Sequence, residues 1–472
     1  MRGEGENGRR RSSMPRLRQW ADGIAAVARR QWSDPLSRGG LALLVNTALT
    51  AVLGFGYWIV AAHLFSTYAV GVAGALVAAT TLFSGIGQLN LSGMLMRFLP
   101  KAGGKSRRLV LTTYVFAASV SALLTVLSLA VVKIFASPTS PLRLSAAQST
   151  ALVLAAATMA IFTIEDNVLV GLRRAVWVPV ENGAFGIAKI VTLFILAPVG
   201  TAFALFSAWM IPLTLTIPVI SAILFFRFLP SASKPRRMAH LGPEFRSSII
   251  RFAIGDATGG LFTQTWTYLL PILVAASLGA STNALFYISF LFSSAIDQVA
   301  ANYASPLTVE GAHAPDKIAM LTRRALRHIF AIILPVVAAL IIVCPWLLRA
   351  FGDKYVSAAP LLDMLLVACF PKAVSTVYYA YCRVQRKTHR SAVLQAYVCI
   401  ATLSFVALLA HSLIGVGLVI IIVQSSACIV SWWALRRGLN NVERYGSRQG
   451  RHRRQRDGRG SAGAIRLSVT GR

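Results

Sequence analysis

Twelve long apolar stretches alternate with short polar connections along the chain, and each stretch is about as long as a membrane span. A transmembrane helix needs roughly 20 mostly apolar residues to cross about 30 Å of hydrocarbon. The pattern therefore predicts an all-α integral membrane protein with about twelve transmembrane helices. The predicted spans are 41–62, 68–89, 109–132, 147–170, 178–197, 202–226, 248–277, 281–304, 328–348, 355–380, 391–411 and 414–435.

The Lys and Arg residues are distributed unevenly among the connections. Those that follow even-numbered helices hold 21, whereas those that follow odd-numbered helices hold only Lys133, Arg143, Arg349 and Lys354. Basic connections stay on the cytoplasmic side of the membrane. We therefore expect the even-numbered connections and both termini to be cytoplasmic. Because the first 40 residues are polar, we expect no cleavable signal peptide.

The twelve spans divide evenly at the longest cytoplasmic connection, which is rich in proline. Apolar residues recur at helical spacing within 17–27, a pattern typical of an interfacial amphipathic helix. A disordered basic lead-in is the alternative there. The predicted organisation is a basic N-terminal segment 1–40, an N-terminal bundle 41–226, a cytoplasmic linker 227–247, a C-terminal bundle 248–435 and a disordered Arg-rich tail 436–472.

The composition agrees with a lipid environment. Hydrophobic residues make up 56% of the chain and charged residues 13%. In soluble domains about 45–50% of residues are apolar and about 25% are charged. Its net charge is +31, and the basic residues concentrate in the tails and the cytoplasmic connections. We expect them to contact anionic membrane lipids. Nucleic acid is not an expected partner, because no nucleic-acid-binding module accompanies the charge.

The sequence offers little for cofactor or enzyme chemistry. The five cysteines lie within or beside predicted helices without metal-ligand spacing, so we expect small packing residues and no metal site. Phosphate-binding, dinucleotide-binding and hydrolase motifs are absent from the sequence. We therefore expect neither a cofactor nor an enzyme.

Two lysines lie deep within predicted spans, where a charge is costly and usually functional. Lys189 lies about 13 residues, or about 20 Å, from the cytoplasmic start of the fifth span. Lys372 follows the helix-breaking Pro371 in the tenth span. We expect both to face an aqueous cavity. The alternative is a lysine paired with a buried carboxylate or neutralised by burial.

Charged residues from both halves also lie one to two turns inside the predicted cytoplasmic boundary. Opposite charges at one depth suggest a gate of salt bridges or a site for a coupling ion; ion pairs that fix helix ends are the alternative. Asp256 is the strongest candidate because glycines surround it, and Asp297 is next. The full set is Glu165, Asp166, Glu181, Asp256, Asp297, Arg173, Arg174 and Arg251.

Neutral polar side chains at membrane depth add a third set. Asn46 and Gln264 are candidates for binding sugar hydroxyls in a wet cavity. Asn and Gln also form hydrogen bonds between membrane helices for structural reasons, and that is the alternative.

Three segments carry a recognisable pattern. Segment 88–100 ends in Arg97-Phe-Leu-Pro, segment 165–182 joins the fourth and fifth spans, and segment 305–312 ends the eighth. Together they resemble the polysaccharide-biosynthesis flippases of the multidrug/oligosaccharidyl-lipid/polysaccharide exporter superfamily, over most of 40–435. The resemblance implies two six-helix bundles around a central cleft, with alternating access, in a bacterial plasma membrane.

The resemblance also implies a cargo, a polyprenyl-pyrophosphate-linked oligosaccharide that is a polysaccharide precursor. A diphosphate would suit a cationic cavity. Lys189, Lys372 and Arg97 are the candidates to bind it, and of these only Arg97 occupies a motif position of the family. Polysaccharide polymerases and glycosyltransferases are the implied protein partners.

Other functions stay open at this point. One is a cation-coupled multidrug exporter of the same superfamily, in which Asp256 and Asp297 would bind the coupling ion. A lipid II-type flippase is another. A membrane glycan polymerase is disfavoured, because the longest external loop, 133–146, holds only Lys133 and Arg143 as basic residues.

Overall fold

The computed structural model describes most of the chain between residues 35 and 439. For part of the described helices only the backbone is given, namely 35–41, 44, 243–257, 309, 312 and 313. The predicted amphipathic helix, most of the linker 227–247, the tail beyond 439 and Arg97 lie outside the described residues. Those residues are 35–88, 91, 95, 99, 102–135, 143–229, 243–313, 317–385 and 387–439.

Twelve long helices make up the described part of the chain, and the prediction of an all-α membrane fold is confirmed. They are α1 (Pro35–Leu64), α2 (Thr67–Gln88), α3 (Ser106–Phe135), α4 (Ala146–Gly171), α5 (Trp177–Leu196), α6 (Ala202–Ile223), α7 (Pro243–Ser277), α8 (Ala280–His313), α9 (Ile318–Arg349), α10 (Ala359–Val384), α11 (Thr388–Leu409) and α12 (Leu413–Leu439).

Several helices are longer than the apolar stretches that predict them. Helix α8 continues to His313 and α9 begins at Ile318, about ten residues before the predicted start. Both extensions lie at the ends that join even-numbered connections, called inner ends below; the opposite ends are called outer ends. The length of an apolar stretch matches the thickness of the hydrocarbon layer. A helix can continue past that layer, with basic residues such as Arg323 and Arg327 in the headgroup region.

The helices form two six-helix bundles that meet along α2. In the N-terminal bundle α1 packs against α5, α5 against α6, and α3 against α4. In the C-terminal bundle α8 packs against α10, α7 against α11, and α9 against α10. Helix α2 contacts α7 and α8 as well as α3, α4 and α6. Its buried surface consists mainly of Ala, Gly, Ser and Thr, which let membrane helices approach closely.

The outer surface of the helices is apolar where it is exposed. Eleven of the described helices are long and apolar enough to cross a membrane. Large side chains project outward from several of them, and this surface requires a lipid environment. The most exposed include Val52, Ile134, Ile195, Phe226, Leu408 and Ile429.

The two bundles touch at their outer ends through close polar and aromatic contacts. The Asn283 side chain donates to the Gly71 carbonyl oxygen over 2.7 Å. A Cβ atom at Gly71 would stand 1.7 Å from the Ala280 carbonyl oxygen, so this approach of α2 to α8 requires glycine. Trp58 meets Tyr287 edge to face at 4.8 Å between ring centroids. These contacts close the space between the bundles at the outer side.

The predicted orientation can be tested with exposed positions in a variant whose five cysteines are replaced. Lys105 and Lys354 are both exposed, one at an even-numbered and one at an odd-numbered connection. In intact cells an impermeant thiol reagent should label Lys354→Cys, and should label Lys105→Cys only after permeabilisation. Labelling of Lys105→Cys from outside would reverse the predicted orientation.

Candidate substrate cavity and buried charges

A cavity of about 670 Å³ lies between α2 and five helices of the C-terminal bundle, namely α7, α8, α10, α11 and α12. Its volume falls in the range of ligand sites, about 300–1,000 Å³. Among the described lining residues, most can donate or accept a hydrogen bond. They include eight residues with hydroxyl groups and five glutamine amides, namely Gln88, Gln264, Gln298, Gln395 and Gln424.

The cavity lies toward the inner ends of α2 and α10 and along the middle of α7 and α8. On α8 its lining extends from Phe290 to Ser305, which is about 22 Å of helix. On α10 it extends from Lys372 to Arg383, or about 16 Å. Both runs end near connections rich in basic residues. The two bundles are closed at their outer ends. If the predicted orientation holds, this arrangement of the bundles is inward-facing.

Lys372 lies at the deep end of the cavity and carries its buried positive charge. Its side chain is 8% exposed, and its Nζ lies 2.9 Å from Asp297 Oδ2. The ammonium group also donates to Ser293 Oγ over 3.3 Å. The ring centroids of Trp266 and Phe290 lie 5.5 and 5.9 Å from Nζ, so aromatic faces stabilise the cation as well.

Asp297 faces the cavity from α8. Its side chain is 31% exposed, while its Oδ1 atom is buried and has no hydrogen-bond partner among the described residues. In the described structure this carboxylate is held mainly by its ion pair with Lys372, and the Cys369 thiol also lies close enough to interact with it. Part of the carboxylate remains available to a ligand or to water.

Two glutamine amides on the cavity wall have defined surroundings. Gln395 Oε1 accepts a hydrogen bond from Thr263 Oγ1 over 2.7 Å, and Gln395 Nε2 donates to the Ser391 carbonyl oxygen over 3.1 Å. The Gln264 amide lies against α2 at Gly85, where a Cβ would stand 2.4 Å from Oε1. These contacts fix part of the polar wall and bring α7 against α2.

The predicted substrate-binding residues do not all lie in one place. Lys372 and Gln264 line the cavity, whereas Lys189 and Asn46 lie in the N-terminal bundle, away from its described lining. Asn46, on α1, has a buried Oδ1 atom without a hydrogen-bond partner in the described structure. Arg97 lies outside the described residues.

Lys189 lies inside the N-terminal bundle between aromatic rings. It is 9% exposed, and its Nζ lies 5.3 Å from the ring centroids of both Tyr57 and Phe185. The Tyr57 hydroxyl donates to the Leu205 carbonyl oxygen over 2.8 Å, which ties α1 to α6 beside the lysine. Within the described residues Lys189 forms no salt bridge, so the rings are its principal stabilising contacts.

Three predicted acidic residues come together near the inner end of the N-terminal bundle. Glu165 and Glu181 are almost completely buried. Glu165 Oε1 accepts hydrogen bonds from the hydroxyls of Ser221 and Tyr114, and Asp166 accepts from Asn182 Nδ2 over 3.0 Å. Both carboxylate oxygens of Glu181 lack a hydrogen-bond partner in the described structure. We call Glu165, Asp166 and Glu181 the carboxyl cluster.

The predicted arginines are not paired with this cluster in the described structure. Arg173 and Arg174 are exposed at the turn between α4 and α5, and Arg173 adopts φ 60°. The Arg174 guanidinium lies 5.2 Å from the ring centroid of Phe228. Arg251 and Asp256 lie on α7, where only the backbone is described. That these charged residues form a gate of salt bridges or bind a coupling ion stays a prediction.

The sequence interpretation missed several residues that line the cavity. Gln395 and Gln424 are polar residues at membrane depth, so the rule that selected Gln264 would also have found them. Trp266 and Tyr379 carry no such signal, because aromatic residues are common in apolar spans. Arg383 lies near the end of α10, where a basic residue is expected for topology alone.

No protein-family model and no curated protein sequence matches the chain. Solved structures do match it. An inward-facing multidrug resistance MATE family transporter of the MOP superfamily is 17% identical, with a TM-score of 0.59 over 88% of this chain and 98% of that one. An outward-facing MATE family transporter is 16% identical, with a TM-score of 0.57 over 87% and 97%.

A third structure is a MOP superfamily transporter from Pyrococcus furiosus, whose binding pocket of reverse polarity is described as suggesting a different function. It is 16% identical, with a TM-score of 0.54 over 87% of this chain and 97% of that one. At such identities the likeness establishes the fold. The chain is therefore a multi-pass membrane protein with the fold of the MATE transporters of the MOP superfamily.

Proposed function

We propose that this chain translocates a polyprenyl-pyrophosphate-linked oligosaccharide, a polysaccharide precursor, across the bacterial plasma membrane by alternating access. The fold supports transport between two sides of a membrane. It does not identify the cargo, which must be argued from the chemistry of the cavity.

The polar lining of the cavity is the observation that carries the proposal. Sugar hydroxyls both donate and accept hydrogen bonds, and amide side chains can answer both needs. Five glutamines, with hydroxyl groups from residues such as Thr263 and Ser375, surround a space of about 670 Å³. A membrane protein bears the cost of placing so many polar groups at this depth only where they line water or a polar ligand.

The charge of the cavity favours an anionic group in the cargo. Its described lining includes two cations, Lys372 and Arg383, and one carboxylate, Asp297. A diphosphate is a strong acceptor of charge-assisted hydrogen bonds from such cations. We propose that Lys372 binds the diphosphate while the polyprenyl tail stays in the bilayer. Lys189 and Arg97 remain candidates for binding it in another state of the transport cycle.

The direction of loading follows from the orientation. The cavity reaches the inner end of α10, which the distribution of basic residues assigns to the cytoplasm. A lipid-linked precursor made in the cytoplasmic leaflet would bind in this arrangement. Opening of the contacts at Gly71 and Asn283 would then release it on the other side.

We propose that the carboxyl cluster binds the ion that drives the cycle. Buried carboxylates without a cationic partner need a proton or a metal cation to offset their desolvation. Glu181, with both oxygens unpartnered in the described structure, is the first candidate. Asp256 is a further candidate on the basis of sequence.

A multidrug exporter fits the same fold equally well, and the polarity of the cavity favours the glycan cargo over a cationic drug. The one carboxylate of the described lining is already paired with Lys372. A cationic drug would therefore meet no unpaired carboxylate in the described lining. For the Pyrococcus furiosus transporter, the reverse polarity of the binding pocket is likewise described as suggesting a different function.

A strain that lacks the gene should distinguish these cargoes. We expect lipid-linked oligosaccharide to accumulate in the cytoplasmic leaflet and a surface polymer to be lost, without new sensitivity to cationic dyes. The measurement is extraction of lipid-linked glycans together with surface-polymer and dye-growth assays. An intact surface polymer with dye sensitivity would support the drug exporter instead.

A further inference from the structure

We propose that Asp297 sets the affinity threshold of the cavity for anions, because it competes with any entering anion for Lys372, so that only groups with two or more negative charges stay bound. This inference rests on the proposed function in one respect, since it assumes an anionic group in the cargo. It adds a role for Asp297 that differs from binding a coupling ion.

The surroundings of Lys372 leave few directions from which an anion can approach. The rings of Trp266 and Phe290 lie over the ammonium group. Its polar contacts are Asp297 Oδ2 at 2.9 Å and Ser293 Oγ at 3.3 Å. An entering anion must therefore displace the carboxylate or lie beside it against like-charge repulsion. Either event opposes binding.

The cost of displacing Asp297 is the same for every anion, whereas the attraction gained in return depends on the charge of the anion. A singly charged anion that displaces Asp297 replaces one negative charge by another and gains little Coulomb energy. The carboxylate is also covalently held near Lys372, so its effective concentration is high. A diphosphate carries more charge over more oxygens, and its attraction to Lys372 rises in proportion. Asp297 therefore excludes the weaker anion and admits the stronger one.

Asp297 is free to leave the ion pair. Its side chain is partly exposed to the cavity, and no described residue donates a hydrogen bond to its Oδ1 atom. A carboxylate fixed by several donors would be a structural partner of the lysine. One that is held by a single cation at a cavity wall can exchange with a ligand.

Binding of two small probes to the full-length protein in lipid nanodiscs tests the proposal by calorimetry. Inorganic pyrophosphate represents the multiply charged group and dimethyl phosphate the singly charged one. The wild-type protein should bind pyrophosphate and discriminate against dimethyl phosphate. In Asp297→Asn both probes should gain affinity about tenfold or more, so that binding of dimethyl phosphate becomes measurable, whereas Asp297→Glu should bind both probes as the wild type does.

Asp353→Asn is the matched control, because it removes a carboxylate charge at an exposed position outside the described cavity lining and should leave both affinities unchanged. Unchanged affinities in Asp297→Asn would overturn the proposal, as would weaker binding of both probes. The wild-type comparison needs no variant: equal binding of the two probes, or no binding of either, also overturns it. A gain of affinity in Asp297→Asn with a normal surface polymer in the deletion strain would instead refute only the glycan cargo.

Discussion

Replacing Lys372 by glutamine should lower the initial rate of translocation of a lipid-linked diphosphate oligosaccharide by about 10- to 100-fold. Charge-assisted hydrogen bonds are worth about 1.5–3 kcal/mol, and each 1.4 kcal/mol corresponds to about tenfold in affinity. The variant also leaves Asp297 without the ion pair seen at 2.9 Å. The measurement is transport by purified protein in proteoliposomes that contain the labelled substrate.

The double variant Lys372→Gln with Asp297→Asn separates transport from folding. Removing one member of a buried ion pair destabilises a protein far more than removing both. We expect the double variant to regain thermal stability while its transport stays low, and Lys372→Arg to retain more activity than Lys372→Gln. Lys354→Gln, at an exposed position, should transport normally. Wild-type rates in both glutamine variants would make Lys372 a structural residue.

The second large effect is expected at Gly71, on the closed outer side. A Cβ there would lie 1.7 Å from the Ala280 carbonyl oxygen and 2.6 Å from its carbon, and backbone atoms cannot move aside as a flexible side chain can. Overpacking of this kind costs about 1–3 kcal/mol or more. Gly71→Ala should therefore weaken the inward-facing state, shift the population toward the outward-facing state and slow transport about tenfold or more.

Thiol labelling measures that shift. Ala284 is completely buried beside Gly71, so Ala284→Cys in a cysteine-free protein should be shielded from an external reagent. Adding Gly71→Ala should make it reactive. Gly54→Ala is the matched control, because a Cβ at Gly54 meets no atom within 4 Å. If Ala284→Cys stays shielded in folded Gly71→Ala protein, the contact does not control opening.

The positions of the helices could be predicted from the sequence because the bilayer sets a single length scale. Every apolar stretch of the right length became a helix, and the errors occur at inner ends such as those of α8 and α9. Nothing in hydropathy marks where a helix stops once it has left the hydrocarbon. The domain boundaries within 227–247 remain predictions, since most of that range lies outside the described residues.

The cavity was only partly predictable. Sequence gives the depth of a residue such as Lys372 along its helix, and in the structure Lys372 lines the cavity. The direction of a side chain around the helix axis depends on which helices are neighbours. Lys189 has nearly the same depth, yet it lies among aromatic rings of the other bundle. The pairing of Lys372 with Asp297 joins residues 75 positions apart, and no local pattern specifies it.

The carboxyl cluster is a second case in which sequence gives the depth of the residues and not their neighbours. Glu165, Asp166 and Glu181 lie together in the structure, and neither Arg173 nor Arg174 is paired with them among the described residues. The turn between α4 and α5 directs both arginines outward. The hydrogen-bonding groups that approach the carboxylates, Tyr114 and Ser221 among them, come from helices that are distant in sequence.

Helix α2 has a mechanical property that follows from its contacts at both ends. Gly71 lies at the closed outer side, and Gly85 and Gln88 lie at the cavity wall, about 21 Å further along the same helix. An unbroken helix of this length behaves as a rigid rod, so cargo that tilts its inner end must also move its outer end. Loading and release would then be coupled by leverage through α2, without a separate chain of side-chain rearrangements between the two sites.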